Sequence, residues 1–329
     1  MNRNRSKGEM AIEAKGLVKR FGGKSAVDGV NLSIPSGSVY GFLGPNGAGK
    51  TTTIRMLATL MEPSSGSASI LGYDLKKDAH HIRGKISLTG QFASVDEDLT
   101  GFENLVMVAR LLGFSWKEAK SRAMELLTAF GLKEAAKQQV KNYSGGMRRR
   151  LDIGASIVVA PEILFLDEPT TGLDPRSRNQ VWDIIRTLAD SGTTVLLTTQ
   201  YLDEADQLAE RIAVIDEGKI IAEGTSRELK ASVGAGALTV HFSDRGACIK
   251  GEVLIKKQMP GTLQSQPDAA ALTVRTSHAN EGIAVLDILA KADIEVIDFS
   301  FGNPTLDEVF LALTGEAVGE KTKKAGIKQ

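Results

Sequence analysis

Short apolar runs rich in β-branched residues alternate with helical spacing through the first 225 residues or so. Residues 39–43, 163–167 and 193–199 are strand-length runs with apolar centres. Such runs suit strands covered on both faces. Residues 212–216 and 219–222 flank Glu217-Gly218 and read as a hairpin closed by a tight turn. This alternation predicts an α/β fold with a partly parallel sheet and helices packed on it. From about residue 98 to residue 160 the strand signals vanish. Leu105, Val108, Ala109 and Leu112 there fall at helical spacing, which predicts a helical insertion.

Gly and Ala cluster at residues 232–236, and the period changes beyond them. Strands are predicted at 238–242, 271–276 and 294–300, with helices at 280–290 and 306–313. The expected organisation is a first domain over 10–230, its helical subdomain at about 98–160, and a small C-terminal α+β domain over 237–315. The Lys- and Gly-rich stretch 316–329 is expected to be a disordered tail. Leu306, Val309, Phe310 and Leu313 share one helix face, which suits packing within the small domain or docking on a partner surface.

Composition narrows the function. The chain has 329 residues, with 40 basic residues against 40 acidic ones, so nothing suggests a nucleic-acid binder that works by bulk positive charge. Cys248 is the one cysteine, which excludes a disulfide framework. No apolar stretch follows the polar, basic first ten residues, so no signal peptide is expected. No run reaches the roughly 18 apolar residues of a membrane span; the nearest, 153–166, is broken by Pro161 and Glu162. Any membrane pathway would belong to another chain.

The chemistry sits first in Gly44, Pro45, Asn46, Gly47, Ala48, Gly49, Lys50, Thr51 and Thr52. This run lies between a predicted strand and a predicted helix, the context of a Walker A phosphate loop. The glycines let backbone N–H groups point inward at phosphates, and the helix start adds its positive end. Lys50 places a charge at the outer phosphates, and Thr51 offers a hydroxyl to Mg²⁺. Residues 163–166 are followed by Asp167 and Glu168. Asp167 is the candidate metal-binding carboxylate and Glu168 the candidate polariser of the attacking water.

With these motifs in place, the chain resembles the ATP-binding cassette family. The distinguishing piece is Asn142-Tyr143-Ser144-Gly145-Gly146-Met147, which looks like the family's signature loop. The resemblance implies a P-loop NTPase cassette that binds ATP and Mg²⁺ and hydrolyses the ATP. It implies that Ser144, Gly145 and Gly146 close on ATP held by a second copy, in a head-to-tail dimer. It also implies that Phe21 stacks on adenine, that Gln91 touches the metal and senses a membrane partner, and that Asp174 crosses to the opposite subunit. Two positions depart from the family pattern. Met147 stands where the signature usually has Gln, and Gln200 stands at the switch position that normally holds histidine. Gln200 can hydrogen-bond a phosphate or water but cannot carry a proton.

Thr89-Gly90-Gln91, Gln200 and Leu306-Asp307-Glu308-Val309-Phe310 resemble the daunorubicin-resistance type of drug exporter. That resemblance implies a peripheral ATPase subunit on the cytoplasmic face of the membrane, serving a separate integral-membrane permease. The core resemblance covers about residues 12–224, and the subfamily resemblance runs to about 315. Arg148, Arg149 and Arg150 fall on the signature helix, and no nucleic-acid role is expected of them. Two other readings fit the motifs: a soluble non-transport cassette ATPase, and an ATP-binding regulatory module with weak hydrolysis.

Overall fold

Five buried positions in a row, Val39–Leu43, and five more, Ile163–Asp167, show where the chain is covered on both faces. The computed structural model describes residues 9–90, 95–233, 237–259, 263–265, 270–276, 279–302 and 305–314. The chain divides between Glu223 and Gly224 into two units.

In chain order the first unit begins with β1 (Met10–Phe21), β2 (Lys24–Pro35), β3 (Val39–Leu43), α1 (Lys50–Leu57), β4 (Ser65–Ile70), β5 (Tyr73–Asp74), α2 (Ala79–Arg83) and β6 (Ile86–Thr89). Three helices follow, α3 (Gly101–Leu111), α4 (Trp116–Ala129) and α5 (Gly145–Ser156). Then come β7 (Ile163–Asp167), α6 (Pro175–Asp190), β8 (Thr194–Thr199), α7 (Leu202–Leu208), β9 (Arg211–Asp216) and β10 (Lys219–Gly224).

A six-stranded sheet in the order β10-β9-β3-β8-β7-β6 forms the centre, and its pairs from β9 through to β6 are parallel. Successive residues of β7 serve opposite faces. Ile163 and Phe165 join a core with Phe42, Ile54 and Leu196. Leu164 and Leu166 join another with Val181, Ile185 and the helical residues Leu105, Leu127 and Ile153. Strand period two therefore places one core on each side of the sheet. α3 and α4 each start on a capping box, Thr100 with Glu103 and Ser115 with Glu118, which satisfies N–H groups a helix start leaves open.

A second sheet, antiparallel in the order β2-β1-β4-β5, has no counterpart in the apolar pattern. The pairing of β1 with β2 shifts register at four places between Met10 and Arg20. Each irregularity resets the inside–outside alternation by which a half-buried strand is recognised.

The second unit contains α8 (Ser226–Val233), β11 (Ala237–Phe242), α9 (Arg245–Gln258), β12 (Leu263–Ser265), β13 (Ala271–Arg275), α10 (Ala279–Lys291), β14 (Val296–Gly302) and α11 (Leu306–Thr314). Its antiparallel sheet runs β12-β13-β11-β14. Leu238, Val240, Leu272, Val274, Val285 and Leu289 form its core. α8 packs against α11, so the division falls before α8 and not at residue 230. Leu306, Val309 and Phe310 are buried, whereas Leu313 is exposed. α9 was not foreseen: Cys248, Gly251 and Ile255 make its buried stripe, but Ile249 and Val253 are exposed and blur the period. The expected tail 316–329 lies outside the described residues. Among the described residues no helix is long and apolar enough to cross a membrane.

Candidate nucleotide site

β3 lies between β8 and β9 in parallel register, with Leu43 opposite both Thr199 and Val214. The chain turns out of the sheet at once, and Gly44 N–H donates to the Thr199 carbonyl at 3.2 Å. Gly44 is required here because a Cβ would sit 2.2 Å from the Ile215 carbonyl oxygen. The loop closes through Ala48 N–H to the Pro45 carbonyl at 3.2 Å, and Gly218 N–H bonds the Ala48 carbonyl at 2.9 Å. Asn46 and Gly47 are exposed at the tip, Pro45 is half-buried, and Ala48 is buried. Gly49 ends the loop at φ 106°, a conformation that only glycine adopts readily. It also caps α1 without a side chain. The first N–H groups of α1, at Lys50, Thr51 and Thr52, have no partner within the helix. Those donors and the helix dipole make an anion site.

The Lys50 side chain is only 4 % exposed and folds back over this loop. Its Nζ donates to the Gly44 carbonyl at 2.7 Å and the Pro45 carbonyl at 3.1 Å, and lies 3.6 Å from Glu168 Oε1. Burial pushes the amine below its ordinary pKa, while Glu168 and Asp167 oppose the shift. A phosphate would add to this buried cation a further anionic partner beside Glu168.

β7 and β8 deliver the acidic side. Asp167 pairs with Thr198 across the sheet. Asp167 Oδ1 accepts from Thr198 Oγ1 at 2.6 Å and from Thr51 Oγ1 at 3.1 Å. A hydroxyl and a carboxylate oxygen side by side at a phosphate loop are the hard donors Mg²⁺ takes alongside phosphate and water, so the residues present fit that ion. Glu168 has φ 49°, a left-handed conformation that costs a non-glycine residue about 1–3 kcal/mol. Its N–H donates to the Thr198 carbonyl and to Thr198 Oγ1, both at 3.1 Å, which holds it there. Its Oε2 accepts from Thr171 Oγ1 at 3.2 Å.

The other expected residues fall into two places. Gln200 is half-buried directly after β8, one residue past the Thr199 that receives Gly44. It therefore shares the carboxyl edge of the sheet with Lys50 and Glu168, where open α/β sheets bind ligands. Ser144 is the exposed N-cap of α5, and its hydroxyl accepts from Met147 N–H at 3.2 Å. Gly145 beside it is exposed; Gly146 is buried, and a Cβ there would meet Ser177 Oγ at 2.3 Å. Asp174, the exposed N-cap of α6, accepts from Ser177 N–H at 3.0 Å and Ser177 Oγ at 2.6 Å. The signature loop thus packs beside the start of α6, and the Ser144 hydroxyl bonds within its own helix. Phe21 ends β1 half exposed, with Lys19 Nζ 5.5 Å from its ring centroid; that exposure rules out a core role. Gln91 lies outside the described residues.

A family profile described as "ABC transporter" matches residues 27–171, and one described as "ATP-binding protein DrrA1-3-like, C-terminal domain" matches 224–314. The daunorubicin/doxorubicin resistance ATP-binding protein DrrA of Streptomyces peucetius is 56% identical over 319 residues, covering 97% of each chain. The chain belongs to the ABC transporter family. The linearmycin resistance ATP-binding protein LnrL of Bacillus subtilis is 35% identical, with 93% of this chain and 99% of that one covered. A crystal structure of an ATP-binding cassette of an ABC transporter in its ADP conformation matches with TM-score 0.60 and 26% identity, over 67% of this chain and 92% of that one. The first unit is accordingly an ABC ATPase cassette, and the chain is an ATP-binding subunit of the drug-resistance export type.

Two residues of this cassette escaped the sequence reading. Arg149 is buried, and its guanidinium donates to the carbonyls of Gly90 and Pro169, both at 2.8 Å, and of Asp167 at 3.2 Å, with Asp152 Oδ2 at 3.4 Å. It ties the signature helix to the residue before Gln91 and to the turn carrying Glu168. An Arg run reads as a solvated face, and the residues it joins lie 18 to 59 positions away. The other is Glu204, buried on α7. A charged residue inside an apolar helix face was the one available signal.

Proposed function

We propose that this ABC cassette hydrolyses ATP at a site completed by a second copy of the chain, and so energises export through a separate integral-membrane permease. The observation that carries this is the meeting of Lys50, Thr51, Asp167 and Glu168 at one sheet edge while Ser144 and Gly145 stay exposed.

Backbone N–H groups of the loop and of the start of α1 receive the phosphates, and Lys50 turns from its own carbonyls to the outer oxygens. Thr51 and Asp167 would hold Mg²⁺, with Gln91 as the further ligand that the family resemblance implies; when bound, the ion would offset charge on the phosphates. Glu168, fixed by Thr198, orients and polarises the attacking water. Gln200 bonds the outer phosphate or that water without taking a proton, so proton acceptance rests on Glu168. Phe21 offers an exposed face to adenine.

Ser144, Gly145 and Gly146 of one copy present a helix start to the phosphates held by the other, and Asp174 crosses beside them. ATP closes the head-to-tail pair because both halves bind the same phosphates, and hydrolysis removes that bridge. The relatives' names speak of daunorubicin, doxorubicin and linearmycin resistance, which favours a hydrophobic, drug-sized cargo. The chain then works as a peripheral subunit at the cytoplasmic face of the membrane.

Steady-state turnover with Mg²⁺ and ATP tests the assignment. Glu168→Gln is expected to bind ATP with near wild-type affinity and to turn over at least about a hundredfold more slowly. Hydrolysis at the wild-type rate would show that Glu168 is not the base.

A further inference from the structure

Glu204 is a buried charged side chain of this cassette that the proposed reaction does not use. It is 1% exposed. Its Oε1 accepts from Thr170 Oγ1 at 2.8 Å and from Trp182 Nε1 at 3.2 Å. Among the described residues its Oε2 has no hydrogen-bond partner. Burial pushes the carboxyl above its ordinary pKa, while nearby Thr199, Thr170 and Trp182 and the charge of Arg178 draw it down. An apolar side chain would fill this position at less desolvation cost. What the carboxyl adds is direction, through bonds an apolar group cannot make.

Those bonds join two segments that belong to the site. Thr170 lies two residues after Glu168 and four before Asp174, and Trp182 lies on the helix that Asp174 caps. Glu204 itself lies four residues after Gln200, on the first turn of α7. The turn that carries Gln200 is fixed by Thr199 Oγ1, which accepts from Tyr201 N–H at 2.9 Å. Arg178 adds a third tie, its guanidinium carbon 5.1 Å from the centre of the Tyr201 ring. The switch turn and the loop 168–174 thus meet on one buried carboxyl.

We propose that Glu204 is a positioning residue for hydrolysis, whose buried carboxyl sets the Gln200 turn and the loop 168–174 in register with one another. The inference rests on the proposed roles of Gln200 and Asp174. A shift of one loop then carries to the other, so the water-facing side and the subunit-crossing side are placed together.

The test is steady-state hydrolysis by the full chain with Mg²⁺ and ATP, as a double-mutant cycle. Glu204→Ala is expected to lower kcat about tenfold or more, since small misplacements in a site are costly, while KM for ATP stays near wild type. Glu204→Gln keeps an oxygen that accepts from Thr170 and Trp182, and is expected to recover most of that kcat. Gln200→Ala is expected to cost much less in the Glu204→Ala background than in wild type, because the placement it depends on has gone. Thr170→Val removes one donor alone and is expected to lower kcat in the same direction if Glu204→Ala does not fold. Unchanged kcat in Thr170→Val and Glu204→Ala, or losses that simply multiply, would overturn the inference. A Glu168→Gln chain that hydrolyses normally would instead overturn the reading beneath it, whatever the Glu204 variants do.

Discussion

The phosphate-loop end and the signature end of the cassette, both of which the proposed function gives to phosphate, are finished to different degrees. At the first, Lys50 and Asp167 are each 4% exposed and every charge has a partner within the chain. Loop carbonyls, a neighbouring carboxylate and threonine hydroxyls hold that chemistry ready before any ligand arrives. At the second, Ser144, Gly145 and Asp174 are exposed. Their hydrogen bonds only shape the starts of α5 and α6. On the proposed reading, the first end binds a nucleotide with groups of one chain, and the second offers its donors to a nucleotide held by another copy. That asymmetry is what a site shared between two copies requires.

The comparison can be broken hardest at the finished end. Lys50→Ala is expected to abolish measurable ATP hydrolysis, a loss of at least about a hundredfold. It also leaves Glu168 Oε1 and the Gly44 and Pro45 carbonyls without their donor, so the nucleotide-free protein is expected to melt somewhat lower than wild type. Turnover and a thermal melt read the two effects separately.

Between the two ends stands Arg149, which bonds three carbonyls and an aspartate. Arg149→Met is expected to lower stability by roughly 3–5 kcal/mol, the cost of breaking a buried charged pair. It should also reduce turnover in the protein that remains folded. Chemical denaturation checks the first and kcat on the folded fraction the second.

A smaller effect is expected at the switch. Gln200→His adds a group that can carry a proton, and kcat is expected to rise by no more than about tenfold while ATP affinity holds. A fall in kcat would mean that the Gln200 turn is shaped for an amide.

The smallest effect is a pH dependence. Burial raises the Glu204 carboxyl above 4.5, so the native state holds its proton to higher pH than the unfolded state does. The stability this group contributes is complete below 4.5 and is lost as pH rises through the native value. Glu204→Gln has no such proton. The difference in melting temperature, wild type minus variant, is expected to fall as pH is raised from 4.5, and a flat difference would count against a carboxyl whose pKa burial raises.

The loop 44–52 and the pair Asp167-Glu168 were legible in the sequence because their chemistry is local. Each follows an apolar strand directly, and its residue types and spacing are set by the turn itself. β3, β7, β8, β9 and β10 were legible for the same reason, whereas β6, α6 and α7 were not read from the sequence. Arg149 and Glu204 were not, since what gives each a role lies far along the chain: Gly90 for one, Thr170 and Trp182 for the other. The antiparallel sheet was hidden by register shifts in β1, and α9 by apolar residues on its exposed face. Local chemistry can be read from order alone, whereas contacts made by folding need the fold.

The account stands most directly on a measurement of mass in solution. Glu168→Gln with Mg²⁺ and ATP, followed by light scattering, is expected to become a dimer. The same chain carrying Ser144→Arg is expected to bind ATP and stay monomeric, because its phosphate loop is intact and its outward-facing helix start is blocked. A Glu168→Gln chain that stays monomeric with ATP bound, or a doubly substituted chain that dimerises equally well, would contradict the claim that two copies share each site.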